Sequence, residues 1–179
     1  MFEVWQTIET KRLIIRPFID GDILALYEIM KKSEVMYAWE HGFSLVETTE
    51  YLHRQQKRYN ENGFGEQAVF LKSNGKLIGA AGLLELDLEG QAVTEIGYIF
   101  DNLVWGNGYA TEAAKAFVDI AFDELGLDKL HCTIRPENVS SIKVAQRLGF
   151  QRVGKYVKVY NGITMPHSIY ILEKEQRDK

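Results

Sequence analysis

Two glycines directly before an amphipathic stretch constrain the fold of this chain more than any other feature of its sequence. Residues 93–100 read as a β-strand, and the apolar residues after the glycines recur at the spacing of an α-helix. This apolar helix face comprises Ala110, Ala113, Ala114, Phe117, Val118, Ala121 and Phe122. Gly106 and Gly108 therefore lie in a loop between a strand and a helix start. The free N–H groups and the positive dipole end of such a helix start favour phosphate binding.

The residues around these glycines resemble a known cofactor loop. The run Trp-Gly-Asn-Gly-Tyr-Ala-Thr-Glu-Ala, preceded by Ile-Gly-Tyr, resembles the acetyl-CoA pyrophosphate loop of the GCN5-related N-acetyltransferase (GNAT) superfamily. Within that superfamily it resembles the ribosomal-protein N-terminal acetyltransferase (RimJ/RimL-like) branch. Gly108 and Ala110 match the small positions of the superfamily pattern, whereas Trp105 departs from its first position. The alternative for the glycines taken alone is a plain strand-to-helix turn.

Two further segments carry the same resemblance. Residues 9–18, Glu-Thr-Lys-Arg-Leu-Ile-Ile-Arg-Pro-Phe, are similar to the opening strand of the branch. Residues 135–150 are similar to the final helix of the superfamily, with its Asn-x-x-Ser start and Gly-Phe finish. The resemblance therefore extends over nearly the whole chain.

The resemblance implies an α/β (α+β) GNAT fold: a mixed, mostly antiparallel seven-stranded sheet with helices on both faces and a central β-loop-α acetyl-CoA site. The local patterns predict strands over residues 12–17, 65–72, 76–86, 93–100, 129–135, 151–159 and 164–172. They predict helices over residues 23–30, 46–60 and 110–122, and a last helix from residue 138 to Gly149. Residues 1–179 are expected to form one domain, with a charged tail that frays from residue 173.

Composition limits the possible partners and location. The net charge is −4, with basic residues scattered along the chain, so we expect no nucleic-acid binding and a favourable field for a cationic amine. Cys132 cannot form an internal disulfide and is expected to be a buried thiol, and the four histidines show no metal-binding spacing. Without a leader-like or membrane-spanning run, the expected location is the cytoplasm, as a monomer or a homodimer.

Acetyl-CoA is the co-substrate that the resemblance implies, with no metal. The expected contacts are Tyr98, Ile99, Phe100, Trp105, Gly106, Asn107, Gly108, Tyr109, Ala110, Thr111 and Asn138. The strand N–H groups around Ile99 and Phe100 would polarise the thioester oxygen. Asn138 either contacts the pantetheine arm or only caps its helix.

Amine acetylation needs a neutral amine, a polarised carbonyl and a protonated leaving thiolate. The resemblance assigns the base to Glu95, with a cross-strand ion pair as the alternative role. In many relatives a Tyr four residues before the Gly of Gly-Phe is the general acid, but this sequence has Ala145 there. In the branch a serine is assigned the role, which makes Ser141 the candidate acid. Three tyrosines remain open as alternatives: Tyr98, Tyr156 and Tyr160.

Residues 33–44 are unusually aromatic and border the acceptor site in the family. Trp39, His41 and Phe43 are the candidate substrate contacts, with packing between helices as the alternative. The expected acceptor is the N-terminal α-amino group of a protein such as a ribosomal protein. One alternative is a small amine, such as a polyamine, an aminoglycoside or an amino compound. The other is a non-catalytic acyl-CoA-binding module. The absence of a tyrosine at position 145 is the main support for this alternative.

Overall fold

A mixed eight-stranded sheet organises the molecule in a computed structural model that describes residues 6–179. Its strands are β1 (Ile8–Glu9), β2 (Leu13–Arg16), β3 (Glu66–Leu71), β4 (Leu77–Leu88), β5 (Gln91–Phe100), β6 (Lys129–Ile134), β7 (Gln151–Tyr160) and β8 (Ile163–Glu173). The spatial order is β1-β2-β3-β4-β5-β6-β8-β7. Within the described residues, β5 and β6 are the one parallel pair, as a strand–helix–strand crossover requires.

The sheet has one strand more than the seven predicted. The additional strand, β1, pairs Ile8 with Ile15 and Glu9 with Ile14. A two-residue strand is too short to show an alternating pattern, so its pairing depends on β2 lying beside it. The other strands begin and end within a few residues of the predicted positions.

Residues 6–179 contain five α-helices, and both faces of the sheet are covered by helices. They are α1 (Ile23–Met30), α2 (Leu45–Asn62), α3 (Tyr109–Asp119), α4 (Val139–Arg147) and α5 (Lys174–Arg177). The ends of α2 follow from local chemistry, because Ser44 and Glu47 form a capping box and Gly63 ends the helix at φ 76°. α3 continues into a π-helical turn over Ile120–Glu124. No helix among residues 6–179 has the length and apolarity needed to cross a membrane.

Two apolar cores lie on opposite faces of the sheet. Phe117 of α3 and Val144 of α4 belong to the first core, and Leu26 of α1 and Leu52 of α2 to the second. Because side chains alternate along a strand, β5 contributes to both. Ile96 lies in the first core, and Ile99 in the second.

The expected fraying after residue 173 is not observed. β8 extends to Glu173, and the short helix α5 follows it directly. Arg177 forms a bidentate ion pair with Asp123, at 2.8 and 2.6 Å, and its guanidinium lies over the Phe122 ring. The π-helical turn supplies both partners, a tertiary contact that the local sequence does not reveal.

Candidate active site

A cleft of about 1380 Å³ opens where β5 and β6 stop pairing. The two strands share a single paired position, Glu95 with His131, although β5 continues to Phe100. Residues 95–100 of β5 therefore line the cleft beyond this pair. Its other lining residues include some from α2, α3 and α4, residues 34, 35 and 37–39, and some from the hairpin of β7 and β8.

The start of α3 lines this cleft and has the features of an anion-binding helix start. Gly106 and Gly108 both have φ of 80°, a conformation that favours glycine, and Gly108 caps α3 without any side-chain hydrogen bond. The hydroxyl Oγ1 of Thr111, in the first turn, is buried without a partner. Tyr109 and Ala110 also line the cleft there. Free N–H groups, an unpartnered hydroxyl and a bare backbone fit a phosphate group.

Side-chain hydrogen bonds hold the loop before α3 in shape. Trp105 Nε1 donates to the Phe100 carbonyl at 2.9 Å, and Asn107 Nδ2 donates to the Val104 carbonyl at 2.9 Å. Trp105 and Asn107 therefore order the loop, and both also line the cleft.

Arg12, which the sequence analysis did not single out, supports the same loop from β2. Its Nη1 donates to the Asn107 carbonyl at 2.9 Å, and its guanidinium carbon lies 4.4 Å from the centre of the Tyr109 ring. Its Nε donates to Glu112 Oε2 at 2.6 Å. The contact joins residues about a hundred positions apart, so neighbouring sequence could not indicate it.

Glu112 connects α3 to the edge of the sheet. Its Oε1 accepts hydrogen bonds from Thr10 Oγ1 at 2.6 Å and from the Arg12 backbone N–H at 2.8 Å. Burial acts to raise the pKa of Glu112, but the hydrogen bonds from Thr10 and Arg12 outweigh it and lower that pKa. The carboxylate thus stays ionised and fixes the first turn of α3.

Glu95, the candidate base, lies on β5 at the point where the strands part. Its Oε2 accepts a hydrogen bond from Thr133 Oγ1 at 2.8 Å, and Thr133 is a second residue that sequence reasoning missed. Burial raises the pKa of Glu95, and the Thr133 hydrogen bond partly offsets this effect. Within residues 6–179 Glu95 forms no ion pair, so the cross-strand ion pair considered as its alternative role is not formed there. A carboxyl with a raised pKa in a cleft is suited to accepting a proton.

Ser141, the candidate acid, lies at the start of α4 on the same cleft. Asn138 caps this helix, because its side-chain oxygen accepts a hydrogen bond from the Ser141 N–H at 3.1 Å. No described residue bonds the Ser141 hydroxyl. Tyr98 donates its hydroxyl to the Ser141 carbonyl at 3.0 Å, and burial raises the pKa of Tyr98 well above its usual value. The serine and the first alternative tyrosine are therefore neighbours.

The other tyrosine alternatives lie on β7. Tyr160 lines the cleft, whereas the Tyr156 hydroxyl is buried and its ring packs 5.5 Å from that of His167. Burial raises the pKa of Tyr156, and an interaction with Thr133 partly offsets this effect, so Tyr156 lies beside the hydrogen-bond partner of Glu95. Ala145 is buried in the first core.

The three candidate acceptor residues have different surroundings. Trp39 lines the cleft and packs edge-to-face on Phe43, with ring centres 6.0 Å apart. Phe43 is buried in the second core. His41 bonds Glu47 at 2.7 Å beside the α2 cap, and this hydrogen bond raises the pKa of His41. The structure brings Trp39 to the cleft and does not bring His41 or Phe43 there.

A further carboxyl of the same cleft, Glu66, is buried. Its signal in the sequence is a charged residue at the start of an apolar strand, a signal that the sequence analysis did not use. No group of three or more His, Cys, Asp or Glu side chains in residues 6–179 is arranged to hold a metal ion. Cys132 is buried, and burial raises the pKa of its thiol.

A parted pair of parallel strands, a helix start with free N–H groups and a nearby carboxyl are the features that a transferase with a nucleotide-linked donor needs. The family model described as the acetyltransferase (GNAT) domain matches residues 12–151, and the chain belongs to this family. The protein is an N-acetyltransferase, and its family implies that it uses acetyl-CoA.

Individual proteins are similar to this chain. The uncharacterized protein YkkB of Bacillus subtilis (strain 168) is 32% identical over 90% of this chain and 92% of its own length. The uncharacterized N-acetyltransferase YnaD of the same organism is 33% identical over 84% of this chain and 86% of its own. A GNAT-family acetyltransferase structure from Bacillus anthracis has a TM-score of 0.81 at 26% identity, covering 95% of this chain and 99% of that one.

Proposed function

We propose that this protein transfers acetyl from acetyl-CoA to the N-terminal α-amino group of a protein, as the RimJ/RimL-like branch does. The observation that carries the proposal is the position of Glu95 on the cleft that also holds the start of α3 and Ser141. The candidate base, the candidate acid and the candidate phosphate-binding site then line the same cleft. The proposal rests on the acetyltransferase family for the reaction and on sequence resemblance for the acceptor.

Acetyl-CoA supplies an activated acetyl group as a thioester. The N–H groups of Gly108, Tyr109 and Ala110, with the Thr111 hydroxyl, would hold its pyrophosphate. The free edge of β5 at Ile99 and Phe100 would hold the acetyl end and polarise its carbonyl. Asn138 orders the α4 start between these two regions.

The residues on the cleft then divide the proton transfers. Glu95, whose pKa is raised by burial, takes the proton from the acceptor ammonium directly or through water. The Ser141 hydroxyl, unpartnered among the described residues, gives a proton to the leaving sulfur. Thr133 keeps the Glu95 carboxyl in place through its hydrogen bond.

The cleft supports a chain end as the acceptor because it is wide and lined by aromatic and charged side chains. Tyr37, Trp39 and Tyr160 line its acceptor side. An α-amino group with a pKa near ~8 is partly neutral at pH 7, so a single carboxyl base would be sufficient.

The test is a thiol-release assay with acetyl-CoA and three acceptor classes side by side: N-terminal peptides, polyamines and aminoglycosides. We expect the peptides to give the highest kcat/KM, with the acetyl group on the α-nitrogen by mass spectrometry. If only the small amines are acetylated, the acceptor is a small amine and not a protein N-terminus. Acetyl-CoA affinity without turnover of any amine would instead indicate a binding module.

A further inference from the structure

Glu66 reaches across the sheet to the floor of the cleft because two glycines leave its path open. It pairs with Gly82 on β4, and Gly82 pairs with Gly97 on β5. A Cβ added at Gly82 would lie 2.5 Å from Glu66 Cα, and one at Gly97 would lie 2.8 Å from Glu66 Oε1. The carboxyl of a β3 residue therefore lies beside β5.

One oxygen of this carboxyl is engaged by α2 and the other is not. Oε2 accepts a hydrogen bond from Tyr51 Oη at 2.6 Å, and the Gln55 amide lies 3.4 Å from it. The described residues provide no hydrogen bond to Oε1. Glu66 is 5% exposed and lines the cleft, and burial raises its pKa. Oε1 is not among the buried atoms that lack a partner, so its hydrogen-bond donor can come from the cleft, as solvent or as part of a ligand.

Cationic side chains surround Glu66 without pairing with it. Arg54 and Arg58 of α2, and Lys158 of β7, line the same cleft and act to lower the Glu66 pKa. None of them forms an ion pair with Glu66 among residues 6–179. The alternative is that Glu66 and these cations only balance each other's charge. The experiment below distinguishes this structural role from ligand binding.

Glu66 and the candidate base point to the same part of β5. Residues 95 and 97 lie on one face of the strand, roughly 6–7 Å apart. An acceptor amine presented to Glu95 would therefore bring a group a few bonds away to Glu66 Oε1.

We propose that Glu66 is an acceptor-binding residue that selects amines carrying a second hydrogen-bond donor, such as a hydroxyl, a few bonds from the acetylated nitrogen. At a protein N-terminus, a first residue of serine or threonine meets this requirement. The inference rests on the proposed acetyl transfer and names the acceptor feature that this site recognises.

The experiment compares matched acceptors that differ by one hydroxyl, with the full chain and acetyl-CoA. One pair is two peptides identical except for Ser or Ala at the first position, and the other is aminopropanol and propylamine. In the native protein we expect kcat/KM about ten-fold higher for the hydroxyl member. Glu66→Gln should bring this ratio near one, and Glu66→Asp, which withdraws the carboxyl by one methylene, should also lower it. The matched control Glu50→Gln, at an exposed position of α2, should keep the native ratio.

Melting temperature and acetyl-CoA affinity are measured for every variant. The proposal is overturned if the native protein shows no preference, if folded Glu66 variants keep it, or if both variants fail to fold, which would assign Glu66 to structural support. Peptides that are acetylated without a hydroxyl preference would refute this inference alone. Small amines that show the Glu66-dependent preference, with peptides inert, would refute the protein-terminus acceptor alone.

Discussion

At the scale of single residues, the cleft is built from groups whose environments differ sharply. Glu95 has a pKa raised by burial, whereas Glu112 has a pKa lowered by its hydrogen bonds. The first suits proton transfer and the second suits a fixed charge. The Ser141 hydroxyl is left free while its N–H is used by Asn138. Proton transfer and structural support thus fall to different side chains.

Glu95→Gln should lower kcat at neutral pH by on the order of a hundred-fold and keep acetyl-CoA binding. A base works only when deprotonated, so native activity should rise with pH through an inflection above the ordinary 4.5 of a glutamate. The variant should lack this inflection and recover partly at high pH, where the amine loses its proton unaided. The pH–rate profile checks this, with Glu85→Gln on β4 as the control. A variant with the native profile would remove Glu95 from catalysis.

Ser141→Ala should lower kcat by roughly ten- to a thousand-fold, with a similar KM for acetyl-CoA. In the proposed mechanism the hydroxyl donates a proton to the thiolate and does not contact the phosphates. Steady-state kinetics measure the split, with the neighbouring Ser140→Ala as control. Full activity in Ser141→Ala would move the role to Tyr98 or to water, and Tyr98→Phe would then be the next variant.

At the scale of elements, the start of α3 is held in place by a remote strand. Arg12 and Thr10, beside β2, bond the loop and the first turn of the helix through Asn107 and Glu112. The conformation of the α3 start therefore depends on the sheet edge as well as on its own glycines.

Gly108→Val should raise the Kd for acetyl-CoA at least ten-fold, because a side chain would stand where phosphate approaches. It should also cost about 1–2 kcal/mol of stability, because φ is positive at this residue. Gly75→Val, in a turn with φ of 68°, should cost similar stability and leave the Kd unchanged. Calorimetry and thermal melts measure both quantities. An unchanged Kd in Gly108→Val would refute phosphate binding at the α3 start.

Glu112→Gln should lower stability at pH 7 by about 1–2 kcal/mol, because charged hydrogen bonds to Arg12 and Thr10 are lost. A carboxyl with a lowered folded-state pKa stabilises the fold above its unfolded value near 4.5 and loses that effect as pH falls further. The difference between native and variant should therefore shrink below about pH 4. Urea melts across this range measure it, with the exposed Glu124→Gln as control. A pH-independent difference would contradict the charge argument.

At the scale of the whole molecule, the sheet separates the two cores, and the cleft opens where two of its strands part. β5 contributes to both cores, and its pairing with β6 stops at Glu95. A ligand bound along the unpaired edge of β5 would contact both sides of the cleft. Acetyl-CoA binding should therefore stabilise the fold as a unit.

Acetyl-CoA at about a hundred times its Kd should add roughly 2.7 kcal/mol of stability. For a domain of this size that raises the melting temperature by roughly 5–10 °C. Acetyl-pantetheine, which lacks the pyrophosphate, is the matched ligand. At the same concentration it should raise the melting temperature by less. Differential scanning calorimetry measures both shifts, and equal shifts would argue against phosphate binding at α3.

The local features of the fold could be predicted from the sequence because they depend on neighbouring residues. The hairpin turn at Asn161 and Gly162 has positive φ at both residues, as Asn-Gly predicts. The helix cap at Asn138 and the helix end at Gly149 follow from the same local chemistry. The strand, loop and helix around Gly108 follow from periodicity and two glycines.

The sequence by itself determined the order of these elements, the family and the glycine loop before α3, because each is encoded within a short window. The tertiary structure alone decided which distant residues meet. It brought Arg12 to the α3 loop, Thr133 to Glu95, and Glu66 across two glycines to β5. Such contacts depend on sheet register and on crossovers, which no local pattern records.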